Sequence, residues 1–179
     1  MLPIGPLMIE HRRIERMIDV IAKALTRIKE ERQVDPGKID VFVDFIRTYA
    51  DRCHHGKEED ILFRELIKKD ISEKQRKTME ELIEEHRWGR KTTARLVEAN
   101  KAYTEGAEEA ISEITECLSS LVSFYPRHIE KEDRHFFIPV MDYFSPEEKN
   151  IMLEEGYAFD QKLIHEKYEK ILKEAESKP

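Results

Sequence analysis

The chain has 179 residues, enough for one domain with a sizeable core and too few for two comfortable ones. Its net charge is -7 with acids and bases interspersed, so no basic stripe points to nucleic acid, and no run of about 18 apolar residues could span a membrane. Two cysteines, Cys53 and Cys117, make no disulfide framework and fit a reducing cytoplasm, while the apolar N-terminus MLPIGPLM lacks the charged start of a signal peptide.

Apolar residues recur at three and four along most of the chain and nowhere alternate as in a half-buried strand, which predicts an all-α protein. A first helix runs from near Pro6 to about Arg32 and buries Leu7, His11, Ile14, Ile18, Ile21, Leu25 and Ile28. The DPGK segment from Asp35 to Lys38 reads as a turn, and a second helix follows from about Ile39 to Lys69. Ser72 and Gln75 form a capping box for a third helix that reaches about Tyr103. Gly106 marks the next connection, and the fourth helix covers roughly Ala107 to Asp142, with Pro126 inside it expected to bend it just before His128. Ser145, Pro146 and Glu148 open a short fifth helix ending near Gly156, and a last amphipathic helix runs from about Tyr157 to Ala175. The expected architecture is an up-down-up-down four-helix bundle over residues 1–142, with two additional C-terminal helices, 143–179, packed on it.

Seven histidines are the unusual allotment, and their placement carries the functional reading. In HHGKEEDILF, from His54 to Phe63, two histidine–carboxylate pairs have one-turn spacing. The row Phe42, Ile46, Ala50, His54, Glu58, Leu62, Leu66 is otherwise apolar, whereas the row through His55 and Glu59 carries Arg47 and Asp51 in its middle. His54 and Glu58 therefore point inward, and His55 and Glu59 are expected at a solvated margin. A carboxylate among Ile, Ala and Leu costs several kcal/mol unless it is paired, protonated or bound to a cation. The fourth helix repeats the pattern as His128 and Glu132 in HIEKEDRHFF, and each pair follows an upstream Glu-His-Arg, at His11 and at His86. Four histidines and two glutamates thus project into one bundle with pseudo-two-fold symmetry, which is how bundle cores hold two metal ions. Mixed nitrogen and oxygen donors suit iron, and manganese, zinc or a mixed pair fit the same donor types.

Several neighbours have weaker claims. His135, seven residues beyond His128, is placed on the same face as an outer partner or extra donor. Glu15 falls at the edge of the first helix stripe, His165 in the last helix is assigned a surface or packing role, Cys53 is a small apolar filler, and Tyr49 and Tyr125 are core aromatics. Gly56 costs about 1 kcal/mol in mid-helix relative to Ala and is expected to serve close packing.

The EHR, HHxxEExxLF and HxxxED signatures resemble the hemerythrin-like, or HHE cation-binding, domain over about residues 7 to 140. The resemblance implies a four-helix bundle with a non-haem di-iron centre and an oxo or hydroxo bridge. His11, His54, Glu58, His86, His128 and Glu132 would then be the ligands, with both glutamates bridging. Oxygen-carrying hemerythrins place a second histidine four residues after the one on the third helix, where this chain has Arg90. The four-histidine, two-glutamate set is similar to that of di-iron proteins that repair iron-sulfur clusters, which usually carry a cysteine-bearing N-terminal segment; here the first ligand is already at residue 11. The expected function is a cytoplasmic di-iron protein that binds or senses oxygen, nitric oxide or iron, with a small diatomic or peroxide as its ligand and neither nucleic acid nor membrane as partner. The alternatives are a di-iron enzyme acting in cluster repair or in peroxide or nitric oxide reduction, and a metal-free structural bundle.

Overall fold

A computed structural model describes residues 1–176, with side chains through Leu163. It contains five long helices and, among the described residues, no strand. Helix α1 is Ile4–Glu31, α2 is 36–66, α3 is Glu73–Thr104, α4 is 111–140 and α5 is Pro146–Glu176. Three of the starts have a side-chain cap. Asp35 caps α2 by accepting from the Lys38 amide, with Pro36 at the first position, so DPGK is the opening of the helix and not a separate turn. Ser72 accepts from the Gln75 amide at 3.3 Å to open α3. At α5 the exchange is reciprocal: the Glu148 amide donates to Ser145 Oγ at 3.2 Å, and the Ser145 amide donates to Glu148 Oε2 at 2.9 Å. Helix α1 stops where Arg32 turns left-handed, with φ 54°.

The first four helices bury their apolar residues in two clusters. One gathers Ile14, Ile18 and Ile21 of α1, Phe42 and Ile46 of α2, Leu96 of α3 and Leu118 and Leu121 of α4. The other gathers Leu7 of α1, Leu62 and Leu66 of α2, Met79 and Leu82 of α3 and Phe136 and Phe137 of α4. Going along the chain, α1 and α3 pass from the second cluster to the first, and α2 and α4 pass back. The topology is therefore the expected up-down-up-down bundle. Between the clusters every helix contributes buried polar residues, and this layer holds the candidate site.

Two features depart from an ideal bundle. Helices α2 and α4 widen into π-helical turns at Ile46–His55, Glu58–Phe63 and Lys131–Phe136. Such i→i+5 turns inside α-helices commonly mark functional sites. Helix α4 also runs through Pro126 without a break. The C-terminal segment is one helix where the sequence suggested two, because Gly156 lies within its contact face. A Cβ there would meet Lys57 Cδ at 3.9 Å, and the packing of α5 along α2 offsets the helix cost of glycine. That packing rests on buried Met152 and Leu163, a two-pronged Arg64–Glu155 pair at 2.8 and 2.7 Å, and Phe159 against α2.

Gly56 explains itself at this contact. A Cβ on it would lie 2.8 Å from Phe159 Cζ. Alanine there should forfeit the roughly 1 kcal/mol it would otherwise gain as a better helix former. In a Phe159→Ala background that gain should reappear, as read from urea midpoints of the four proteins of a double-mutant cycle. Equal effects of Gly56→Ala in both backgrounds would mean that the ring is not what requires glycine.

Candidate metal centre

The polar layer is built from the helices inward. Helix α1 supplies His11, α2 supplies His54 and Glu58, α3 supplies His86, and α4 supplies His128 and Glu132; all six are essentially sealed from solvent. The structure brings all six together. Glu132 directs Oε2 to His11 Nε2 at 3.1 Å and Oε1 to His128 Nε2 at 3.2 Å and His86 Nε2 at 3.7 Å. Glu58 directs Oε1 to His54 Nε2 at 3.3 Å and Oε2 to His86 Nε2 at 3.4 Å. Each carboxylate therefore spreads its two oxygens between a His11–His54 half and a His86–His128 half. In the first half, one donor atom from each of His11, His54, Glu58 and Glu132 lies within 4.8 Å of the others.

None of these inward atoms has a hydrogen-bond partner: the Nε2 atoms of His11, His54, His86 and His128 and all four oxygens of Glu58 and Glu132 are buried and unsatisfied. Each such group costs about 1–3 kcal/mol, and more when charged. Eight converging nitrogen and oxygen atoms, none with a hydrogen-bond partner, fit cations placed between them. The donor set of imidazole and carboxylate suits iron, manganese or zinc.

The outward nitrogens are fixed by a second ring of acids. His11 Nδ1 meets Asp133 at 2.7 Å, His54 Nδ1 meets Glu10 at 3.0 Å, His86 Nδ1 meets Glu59 at 2.7 Å, and His128 Nδ1 meets Glu85 at 2.7 Å. A carboxylate accepts, so Nδ1 donates and Nε2 is left to face inward as a lone pair. Each acid is held in turn by a cation: Asp133 by Arg12, Glu10 by Lys57, Glu59 by Arg90 at 2.7 Å and Glu85 by Lys131 at 2.5 Å. Burial would lower the basicity of His11, but Asp133 and Glu132 overcome it and raise its pKa to about 9. Burial wins at His54, whose pKa falls to about 4. Burial and the charge of Glu132 push Glu58 well above the usual carboxylate range. For Glu132 burial acts in the same direction but is outweighed by His128, His11 and His86, which hold it low.

Sequence periodicity missed parts of this arrangement. His55 is buried, not marginal: its ring stacks on His86 at 3.9 Å, and its Nε2 is unsatisfied like the others. The cause is the π-helical stretch Ile46–His55, which brings the residue five beyond Ala50 inward as well as the residue four beyond it. The widened turn Lys131–Phe136 does the opposite to His135, which is exposed while Phe136 takes the inward place. Glu59 is the acid beneath His86, and Arg90 ties it to Asp51, at 2.7 Å each. Glu10 and Asp133, the acids beneath His54 and His11, carried no signal in sequence beyond adjacency to a donor.

The remaining candidates have ordinary roles. Glu15 pairs with Arg12 at 3.1 Å, Tyr125 is buried, and Tyr49 accepts from Arg13 at 3.2 Å. The Cys53 thiol is 3.3 Å from Asp160, and burial pushes its pKa up to about 12. Glu10, Cys53 and Asp160 also converge, but the Lys57 ammonium already holds both acids, reaching Asp160 at 2.7 Å. The side chain of His165 lies outside the described residues.

Residues 2–138 match the family model of the hemerythrin HHE cation-binding domain. No curated protein and no solved structure matches the chain. Among the described residues no helix is long and apolar enough to cross a membrane.

The acid beneath each imidazole should set cation affinity. Glu85→Ala leaves His128 free to rotate and should weaken binding 10–100-fold without loss of helicity, as measured by competition with a chromophoric chelator. Unchanged affinity would mean that His128 is oriented by packing alone.

Proposed function

We propose that this chain, which belongs to the hemerythrin HHE cation-binding family, holds two iron ions between its first four helices and uses them to bind or sense oxygen, nitric oxide or iron itself. The observation that carries this reading is the convergence of orphaned, buried donor atoms from four helices on one space. His11 and His54 would hold one ion, His86 and His128 the other, and Glu58 and Glu132 would span both. Two negative carboxylates offset part of the cationic charge, and the split of their oxygens between the two halves suits a bridging role. Bound iron supplies redox-active ions with positions open to a small ligand such as a diatomic gas or a peroxide.

The surroundings favour capture over turnover. The Nδ1 protons of the four histidines are fixed on acids that are themselves paired with cations, so no free proton donor stands beside the donor atoms. Burial raises the pKa of both thiols, to about 12 at Cys53 and about 11 at Cys117, which keeps them protonated and unreactive near neutral pH. Phe63, Phe136, Phe137 and Leu82 close the layer on one side, and Leu121, Tyr125 and Ile129 close it on the other, keeping bulk water away.

Metal analysis of the purified chain tests the foundation. Two iron ions per chain are expected, with His54→Ala losing at least one; fewer than about one per chain, unaffected by that substitution, would leave a metal-free bundle. Chelation should also lower thermal stability, since a ligand present at 100 times its dissociation constant contributes about 2.7 kcal/mol. Stopped-flow spectra of the reduced protein mixed with oxygen, nitric oxide or peroxide then separate function from function. A lasting adduct formed once per centre supports binding, and repeated turnover makes the protein an enzyme instead.

A further inference from the structure

Lys57 is only 4% exposed, a rare place for a lysine. A buried ammonium is unfavourable unless acids meet it. Lys57 meets two, from different helices: Glu10 of α1 and Asp160 of α5, the latter at 2.7 Å. Neither acid serves Lys57 alone. Glu10 turns its other oxygen to His54 Nδ1 at 3.0 Å, and Asp160 accepts from the Cys53 thiol at 3.3 Å. The Arg64–Glu155 pair also fastens α5 to α2 but has no part in this chain of contacts.

Two carboxylates and one ammonium leave one negative charge in excess. The Nδ1–H of His54 is the other donor on Glu10, and it becomes more positive when a cation takes the Nε2 lone pair. Glu10 then shares more with His54, and Lys57 is left to hold Asp160. Without the cation Glu10 draws Lys57 inward, away from Asp160. The converse holds as well: without the charge of Asp160, Lys57 turns fully to Glu10, which weakens Glu10 as an acceptor and makes His54 the less basic donor. We infer that Asp160 is a positioning residue for the centre, acting on His54 through Lys57 and Glu10, so that docking of α5 and capture of a cation reinforce each other. The inference rests on His54 being a cation donor, as proposed above, and requires neither a particular metal nor two ions. It gives the C-terminal helix a role: α5 carries the state of a sealed centre to the surface of the molecule.

Competition with a chromophoric chelator tests this on the full-length chain, with ferrous iron as the probe and oxygen excluded. Wild type and Glu155→Gln, which loosens α5 outside the chain of contacts, are expected to bind alike. Asp160→Asn should hold one equivalent about 10-fold more weakly, the low end of what a direct acid partner of a donor contributes. In a Glu10→Gln background the same substitution should change affinity less than about two-fold, because the chain is already cut. Amide hydrogen exchange gives the reciprocal reading. Saturating iron should slow exchange at residues 159–163 at least about 5-fold in wild type and Glu155→Gln, and should leave it unchanged in Asp160→Asn. An Asp160→Asn protein that binds as tightly as wild type, or loses as much with Glu10 already replaced, would overturn the role of Asp160. So would exchange in wild-type α5 that ignores iron; in each case the metal reading stands. Wild type that takes up no iron would remove the metal reading and this inference with it.

Discussion

Two carboxylates sealed inside a helical bundle impose the constraint from which the rest of the architecture follows. Glu58 and Glu132 have no exposed surface, and no protein group donates a hydrogen bond to them. Charge in that position requires positive charge at van der Waals distance. The imidazoles facing them present Nε2 atoms, which serve cations only as lone pairs. To keep Nε2 bare, the proton must sit on Nδ1, and to keep it there an acid must lie behind each ring. Those acids are themselves partly buried, so each needs a cation further out. The bundle is therefore arranged in radial shells of alternating character: Glu58 and Glu132 at the centre, imidazoles around them, then Glu10, Asp51, Glu59, Glu85 and Asp133, then Arg12, Lys57, Arg90 and Lys131. The interspersed surface charge of the chain is in part the outermost of these shells.

The shells also account for where α5 docks. Lys57 is buried although lysine seldom is, and it holds Glu10 on one side and Asp160 of α5 on the other. Glu10 is the acid beneath His54. One unbroken chain of charged contacts thus runs from a donor of the centre to the C-terminal helix. The packing of Phe159 on Gly56, one residue from Lys57, places that chain in register.

How much of this could be read from sequence depended on whether helices kept a constant period. The α1 stripe from Leu7 to Ile28 was legible because α1 is regular over its whole length, and the same holds for His86 on α3. The repeated HxxxE identified His54, Glu58, His128 and Glu132 because two coincident rows outweigh one ambiguous row. His55 and His135 were misplaced for a single reason: a local change to i→i+5 turns shifts every later residue around the axis, and no residue type marks that change. The acids beneath the imidazoles were hidden differently. In a chain with 39% charged residues, a glutamate that matters looks like any solvated one until its partner on another helix is known.

Arg90 illustrates why a missing motif residue is a poor guide to a missing atom. It stands where a histidine is expected in oxygen carriers of the resembled family, and its presence argued for a centre with four imidazoles. In the fold its guanidinium lies outside the donor layer, joining Asp51 to Glu59. Those two acids sit behind His55 and His86, whose rings are stacked. One cation thereby serves two rings at once. A metal site is defined by where lone pairs converge. Here the π-helical stretch ends with His55 turned inward, and an arginine on the neighbouring helix holds the acid behind it. Which side chains face the polar layer therefore has to be read in space and not along the motif.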